Sequence, residues 1–84
     1  MNTAAEMILV ERVLPAFVVE ALLKYGNLRS AGGMQCRTFH GHAMGRFELA
    51  VGCARMARSY AKAMLVLQGG RVIAQGFLQE RSGR

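Results

Sequence analysis

The chain has 84 residues, 52% of them apolar and 19% charged. That describes one small folded domain and excludes a disordered chain, which lacks the apolar surface to build a core. The net charge of +6 comes from eleven bases, nine of them Arg, against five acids, all Glu. It suits an acidic partner (nucleic acid, a phosphate-bearing cofactor or an acidic carrier protein), or else a surface that is merely solvated.

Thr3-Ala-Ala-Glu6 fits a capping box, in which a Thr hydroxyl and a Glu carboxylate satisfy each other's free backbone amides. It predicts a helical stretch over residues 4–25. Met7, Val10, Leu14, Val18 and Leu22 recur on one helical face. Pro15 divides the stretch, disfavouring helix at Leu14 and opening a new helix behind itself. Glu6 to Val13 is then a shorter helix or, on the weaker reading, a strand. Gly26 supplies the left-handed residue that ends the helix.

NLRSAGG, residues 27–33, reads as a connection, and MQCRTFH predicts a strand over 34–40. Gly41 and Gly45 then bracket a turn. From Arg46 to Gln68 the chain admits two readings. Leu49, Cys53, Met56, Tyr60, Ala63 and Leu67 recur at helical spacing. Against this, Phe47, Leu49, Val51 and Cys53 alternate with Arg46, Glu48, Ala50 and Gly52, and Gly69-Gly70 is a strong two-residue hairpin signal. Folding there sets Gln68 opposite Arg71, Leu67 opposite Val72 and Leu65 opposite Ala74. It collects Leu67, Leu65, Ala63, Val72, Ala74 and Leu78 on one side. The sheet makes more independent matches and predicts strands over 46–54, 59–68 and 71–79. The expected class is α+β, a small antiparallel sheet of about four strands packed on an N-terminal helix.

In this order the elements carry a likeness. Gly45-Arg46-Phe47-Glu48-Leu49, Arg55 to Arg58, Ala61-Lys62-Ala63, Gly69-Gly70 and Val72-Ile73-Ala74 resemble the last strands of hot-dog fold proteins. The closest likeness within that superfamily is to the 3-hydroxyacyl-acyl-carrier-protein dehydratases and thioesterases. Pro15 to Leu22 is similar to the start of that family's central helix, and the likeness covers residues 14–79. It implies a hot-dog-like dimer acting on acyl thioesters of acyl-carrier protein or coenzyme A. The family's His-Phe-Pro-Gly loop has no counterpart, since no His precedes Pro15. Glu20 also sits one residue closer to its Pro than the family's acid does. The resemblance therefore implies at most half of the usual acid–base pair.

Few residues are suited to chemistry. His40 and His42 flank Gly41, and imidazole suits acid–base work near neutral pH; two solvated loop residues are the plainer reading. Glu20 lies in the apolar stretch VVEALL and could act as a general acid or base, or pair with Lys24 one turn on. Arg55, Arg58, Lys62 and Arg71 would gather at one end and the outer face of the sheet, either to hold phosphate or as a solvated surface. Cys36 and Cys53 lack metal-ligand spacing and read as buried free thiols of a reducing compartment, with Cys53 facing the core. No metal or other cofactor is expected. The opening residues lack the pattern of a signal peptide, and no stretch approaches the ~20 apolar residues of a membrane span. The expectation is a cytoplasmic homodimer, its sheets joined edge to edge. It would bind or process acyl thioesters, or alternatively serve as a basic, non-enzymatic interaction module, of mobile-element origin on one reading, for an acidic protein or nucleic acid.

Overall fold

The computed structural model describes residues 6–81. Its elements are β1 (Glu6–Glu11), α1 (Ala16–Tyr25), β2 (Asn27–Ala31), β3 (Met34–Thr38), α2 (His42–Val51), α3 (Ala54–Arg58), β4 (Ala63–Gln68) and β5 (Arg71–Arg81). The strands form one antiparallel sheet in the order β1-β5-β4-β3-β2. Helix α1 packs on β3 and β4. The class is α+β as expected, with five strands in place of four. The expected Thr3–Glu6 capping box lies outside the described residues.

Two glycine pairs set the strand connections. Gly69 and Gly70 have φ of 59° and 80°, the left-handed pair that a tight primed turn requires, and Gln68 faces Arg71 across it. Gly32 and Gly33 repeat the geometry at 57° and 79°, so residues 27–31 form a strand paired with β3 rather than a connection. Leu67 faces Val72 as the hairpin predicts, but a bulge between Val66 and Leu67 then shifts the register by one. Leu65 meets Gln75 and Ala63 meets Phe77, so Ala74, Gly76 and Leu78 turn to the other side of the sheet. Only the β4 half of the predicted apolar face, Ala63, Leu65 and Leu67, is buried as expected.

Residues 46–54 are not a strand. His42–Val51 is a helix, ended at Gly52, whose left-handed backbone lets its N–H reach the Glu48 carbonyl at 2.9 Å. The alternating pattern required Leu49 and Cys53 to be inside, yet Leu49 is 85% exposed and Cys53 is exposed. Ala43 and Phe47, one turn apart, are buried, with Val51 packed against the same core. The predicted strand over 59–68 shortens to Ala63–Gln68, because turns over residues 59–62 follow α3.

At the other end, Glu6–Glu11 is a strand, correcting the helical expectation for that part of 4–25. It pairs with the second half of β5, and a Cβ at Gly76 would overlap the Val10 carbonyl oxygen. Pro15 opens α1 as expected, its carbonyl accepting from Val18 and Val19 at 3.0 and 3.1 Å. Gly26 is extended rather than left-handed; what it supplies is room, since a Cβ there would meet the Leu22 carbonyl. Gln75 pins the intervening segment, accepting from the Leu14 N–H at Oε1 (2.8 Å) and from the Arg12 N–H at its carbonyl (3.1 Å).

Between helices and sheet lies a core of Leu14, Val18, Leu22, Phe39, Phe47 and Leu65 with their neighbours. Its aromatic rings form a chain. Phe47 stacks on Phe39 with centroids 4.2 Å apart and on Phe17 at 6.2 Å. Phe17 meets Tyr60 edge-on at 5.7 Å, and Tyr60 stacks on Phe77 at 6.1 Å. Phe47→Ala should therefore lower the unfolding free energy by about 3–5 kcal/mol. Leu49→Ala should change it by less than about 0.5 kcal/mol. Urea denaturation distinguishes them, and a strand at 46–54 would have made Leu49→Ala costly too. Gln75→Leu should cost about 1–3 kcal/mol in the same assay, because it strands the Leu14 N–H.

Candidate functional site

Helix α1 runs along a groove whose far wall is α2 and the start of α3. The groove holds about 360 Å³ and is lined by Phe17, Ala21, Phe47, Val51 and Met56, with Glu20 and Lys24 on its α1 side. Glu20 is exposed, not enclosed by apolar neighbours. Lys24 does not pair with it; its ammonium lies 5.7 Å from the centre of the Tyr25 ring. Phe17 is 41% and Met56 49% exposed, so the groove presents apolar side chains to a ligand.

His40 follows β3 and His42 begins α2, and both are exposed. They line a second groove of about 370 Å³ with Tyr25, Asn27, Leu28 and Arg46. The first turn of α2 has no acidic residue and no side-chain cap, so its free amides add positive potential to two imidazoles and a guanidinium. Tyr25 lines both grooves. Glu20 and the histidines thus stand on either side of one tyrosine, and no groove among the described residues is lined by both.

The four bases expected to cluster are dispersed. Arg55 and Arg58 lie on α3 in the helical layer. Lys62, just before β4, lines a trough on the opposite face of the sheet, together with Arg29 and His40. Arg71 sits beyond the far end of β4, ~20 Å from Lys62 by strand rise. Arg58 is engaged already, its Nε donating to Glu48 Oε2 at 3.4 Å. The thiols also differ from expectation: Cys53 is exposed at the start of α3, and Cys36 is half-buried on β3. Both are unpaired.

Three of the residues around these grooves are not singled out by the sequence pattern. Arg46 stands one helical turn from His42, a proximity that appears only when 42–51 is read as helix. Tyr25 looks like an ordinary end to an apolar helix. Arg37 points a guanidinium nitrogen at the Gly26 carbonyl (3.4 Å), leaving its buried Nε without a partner. Among the described residues no group of three His, Cys, Asp or Glu could hold a metal ion, and no helix is long and apolar enough to cross a membrane. Compared with protein families, with curated proteins and with solved structures, the chain finds no match.

The Arg58–Glu48 pair is open to solvent, so Arg58→Ala should lower stability by less than about 1 kcal/mol in chemical denaturation. Any larger loss of ligand binding in that variant then reports on the ligand.

Proposed function

We propose that the protein binds acyl thioesters without turning them over. The observation that carries this reading is the junction at Tyr25, where an apolar groove of acyl-chain character adjoins one lined by His40, His42 and Arg46. An acyl chain lies along Phe17, Phe47 and Met56. The phosphate-bearing arm of coenzyme A or of an acyl-carrier protein lies against the imidazoles, the Arg46 guanidinium and the open end of α2. Lys24, beside Tyr25, adds a cation near the junction. The likeness to hot-dog dehydratases supports the same ligand class. It does so with less of the chain than the sequence suggests, since its Gly45–Leu49 segment is helical.

Binding without turnover follows from the separation of the acid from the imidazoles. General acid–base catalysis needs both within hydrogen-bond reach of the reacting atoms. Glu20 faces the chain groove while His40 and His42 face the other. A cytoplasmic location is part of the proposal and is supported by the two unpaired thiols.

A second reading, an interaction module for nucleic acid or an acidic protein, is favoured by the net charge of +6 and by the exposure of Arg46, Arg55 and Arg58. Thermal unfolding separates the two. A long-chain acyl-coenzyme A at about a hundredfold its Kd should raise Tm by roughly 10 °C or more. Coenzyme A without the chain should do less, and Met56→Asp should remove the difference. A midpoint moved by DNA or RNA, lost at high salt and indifferent to acyl-coenzyme A, would instead establish the second reading.

A further inference from the structure

The sheet face turned away from the helices is apolar and uncovered. Residues paired across ladders share a side, and Val66 lies between Leu65 and Leu67, which are buried beneath the helices. The registers therefore place Ala74, Val66, Cys36 and Arg29 in one row of the outer face, and Glu11, Gly76, Met64, Thr38 and Asn27 in the next. Leu9 and Leu78 follow, then Met7 and Glu80. Met7, Cys36, Met64 and Leu78 line a trough of about 600 Å³ across this face. A water-facing side of an antiparallel sheet alternates polar with apolar residues, whereas strands covered on both sides read as unbroken apolar runs. Here β1 runs Met7-Ile8-Leu9-Val10 and β4 runs Ala63-Met64-Leu65-Val66-Leu67.

We propose that a second copy of the chain covers this face, sheet against sheet, about a twofold axis parallel to the strands. Charge selects both the partner and the axis. Glu11 and Glu80 stand at the β1–β5 side of the outer face and Arg29 at the β2 side, four strands away. A twofold axis along the central strand lays β1 of one copy over β2 of the other, bringing acid to base on both flanks. An axis across the strands would lay acid over acid and Arg29 over Arg29. Lys62 lies one residue before β4, at the end of the face rather than its centre.

The area is also sufficient. Five strands ~4.8 Å apart and about five residues long give a face on the order of 400 Å² in plan, and more over the relief of its side chains. That approaches the ~800 Å² each partner contributes to a standard interface. The proposal is independent of the ligand reading, since it concerns the opposite side of the sheet and is tested without ligand.

Sedimentation of the full chain should give a dimer, and Val66→Glu should give a monomer with an unchanged far-ultraviolet circular dichroism spectrum. Leu49→Glu, on the exposed side of α2, should remain dimeric. Arg29→Glu should weaken association roughly tenfold or more, and adding Glu11→Arg should restore most of it. A readout that does not perturb the face comes from Cys36. In a Cys53→Ser background its alkylation should slow as protein concentration rises, while Cys53 in a Cys36→Ser background should react at a constant rate. A monomeric wild type overturns the proposal, as does a dimer indifferent to Val66→Glu. A Cys36 rate independent of concentration overturns it even where Val66→Glu fails to fold.

Discussion

Phe47 is the residue on which the helical layer depends. Its ring lies flat on Phe39, with 7° between the planes, and reaches Phe17 on the other side. That stack ties the end of β3, the middle of α2 and the first turn of α1 to one point, adding about 0.5–1.5 kcal/mol per aromatic pair to what burial alone supplies. The positions of both grooves follow from it. Phe47 is part of the wall of the apolar groove, and the seating of α2 on Phe39 fixes where His42 and Arg46 stand. A chain this short buries few large side chains; among the described residues only Phe47, Leu22, Leu65 and Val18 combine large volume with near-zero exposure.

The sheet solves a different problem. β5 is long enough to pair with β4 along its first half and β1 along its second, so one strand joins the hairpin to the N-terminal edge. The bulge opposite Val66–Leu67 lets it do so while re-aiming its side chains. Through that shift Gln75 faces the helical side, where its amide oxygen takes the Leu14 N–H. Without it, the entry to α1 would leave a partly buried donor unpaired, at a cost comparable to a lost hydrogen bond. One irregularity in a strand thus holds a loop sixty-one residues away in sequence.

These features explain what can be read from the residues and what cannot. The Gly69-Gly70 turn, the helix behind Pro15 and the buried face of β4 follow from local stereochemistry, which needs no knowledge of neighbours. Gly32-Gly33 carries the same signal and differs only in its flanks: Asn27 to Ala31 has little apolar alternation because it becomes an exposed edge strand. The segment 46–54 satisfied both periods at once. What decides between them is which of Phe47 and Leu49 has a partner, and Phe39 lies outside any window that would reveal it. The bulge is equally hidden, since nothing in Val72-Ile73-Ala74 marks an extra residue. The site suffers most from this. Glu20, His40 and His42 can be picked out singly by type, but their division between two grooves depends on the turn of α2 and on Tyr25.

The two faces of the sheet set the terms for any function. On the helical side, apolar side chains end in grooves whose mouths carry Lys24, the histidines and Arg46. On the outer side, apolar residues fill the rows and the charges stand at the margins, acids at one edge and Arg29 at the other. A face with its charges scattered would accept many partners weakly. One with opposite charges on opposite edges discriminates, because a partner must present them in reverse order, and a twofold-related copy does so without further design. Covering that face would also supply what an 84-residue chain lacks, a second apolar layer beyond its single core. The helical grooves would remain open on the outside of the pair, each against a sheet stiffened from behind.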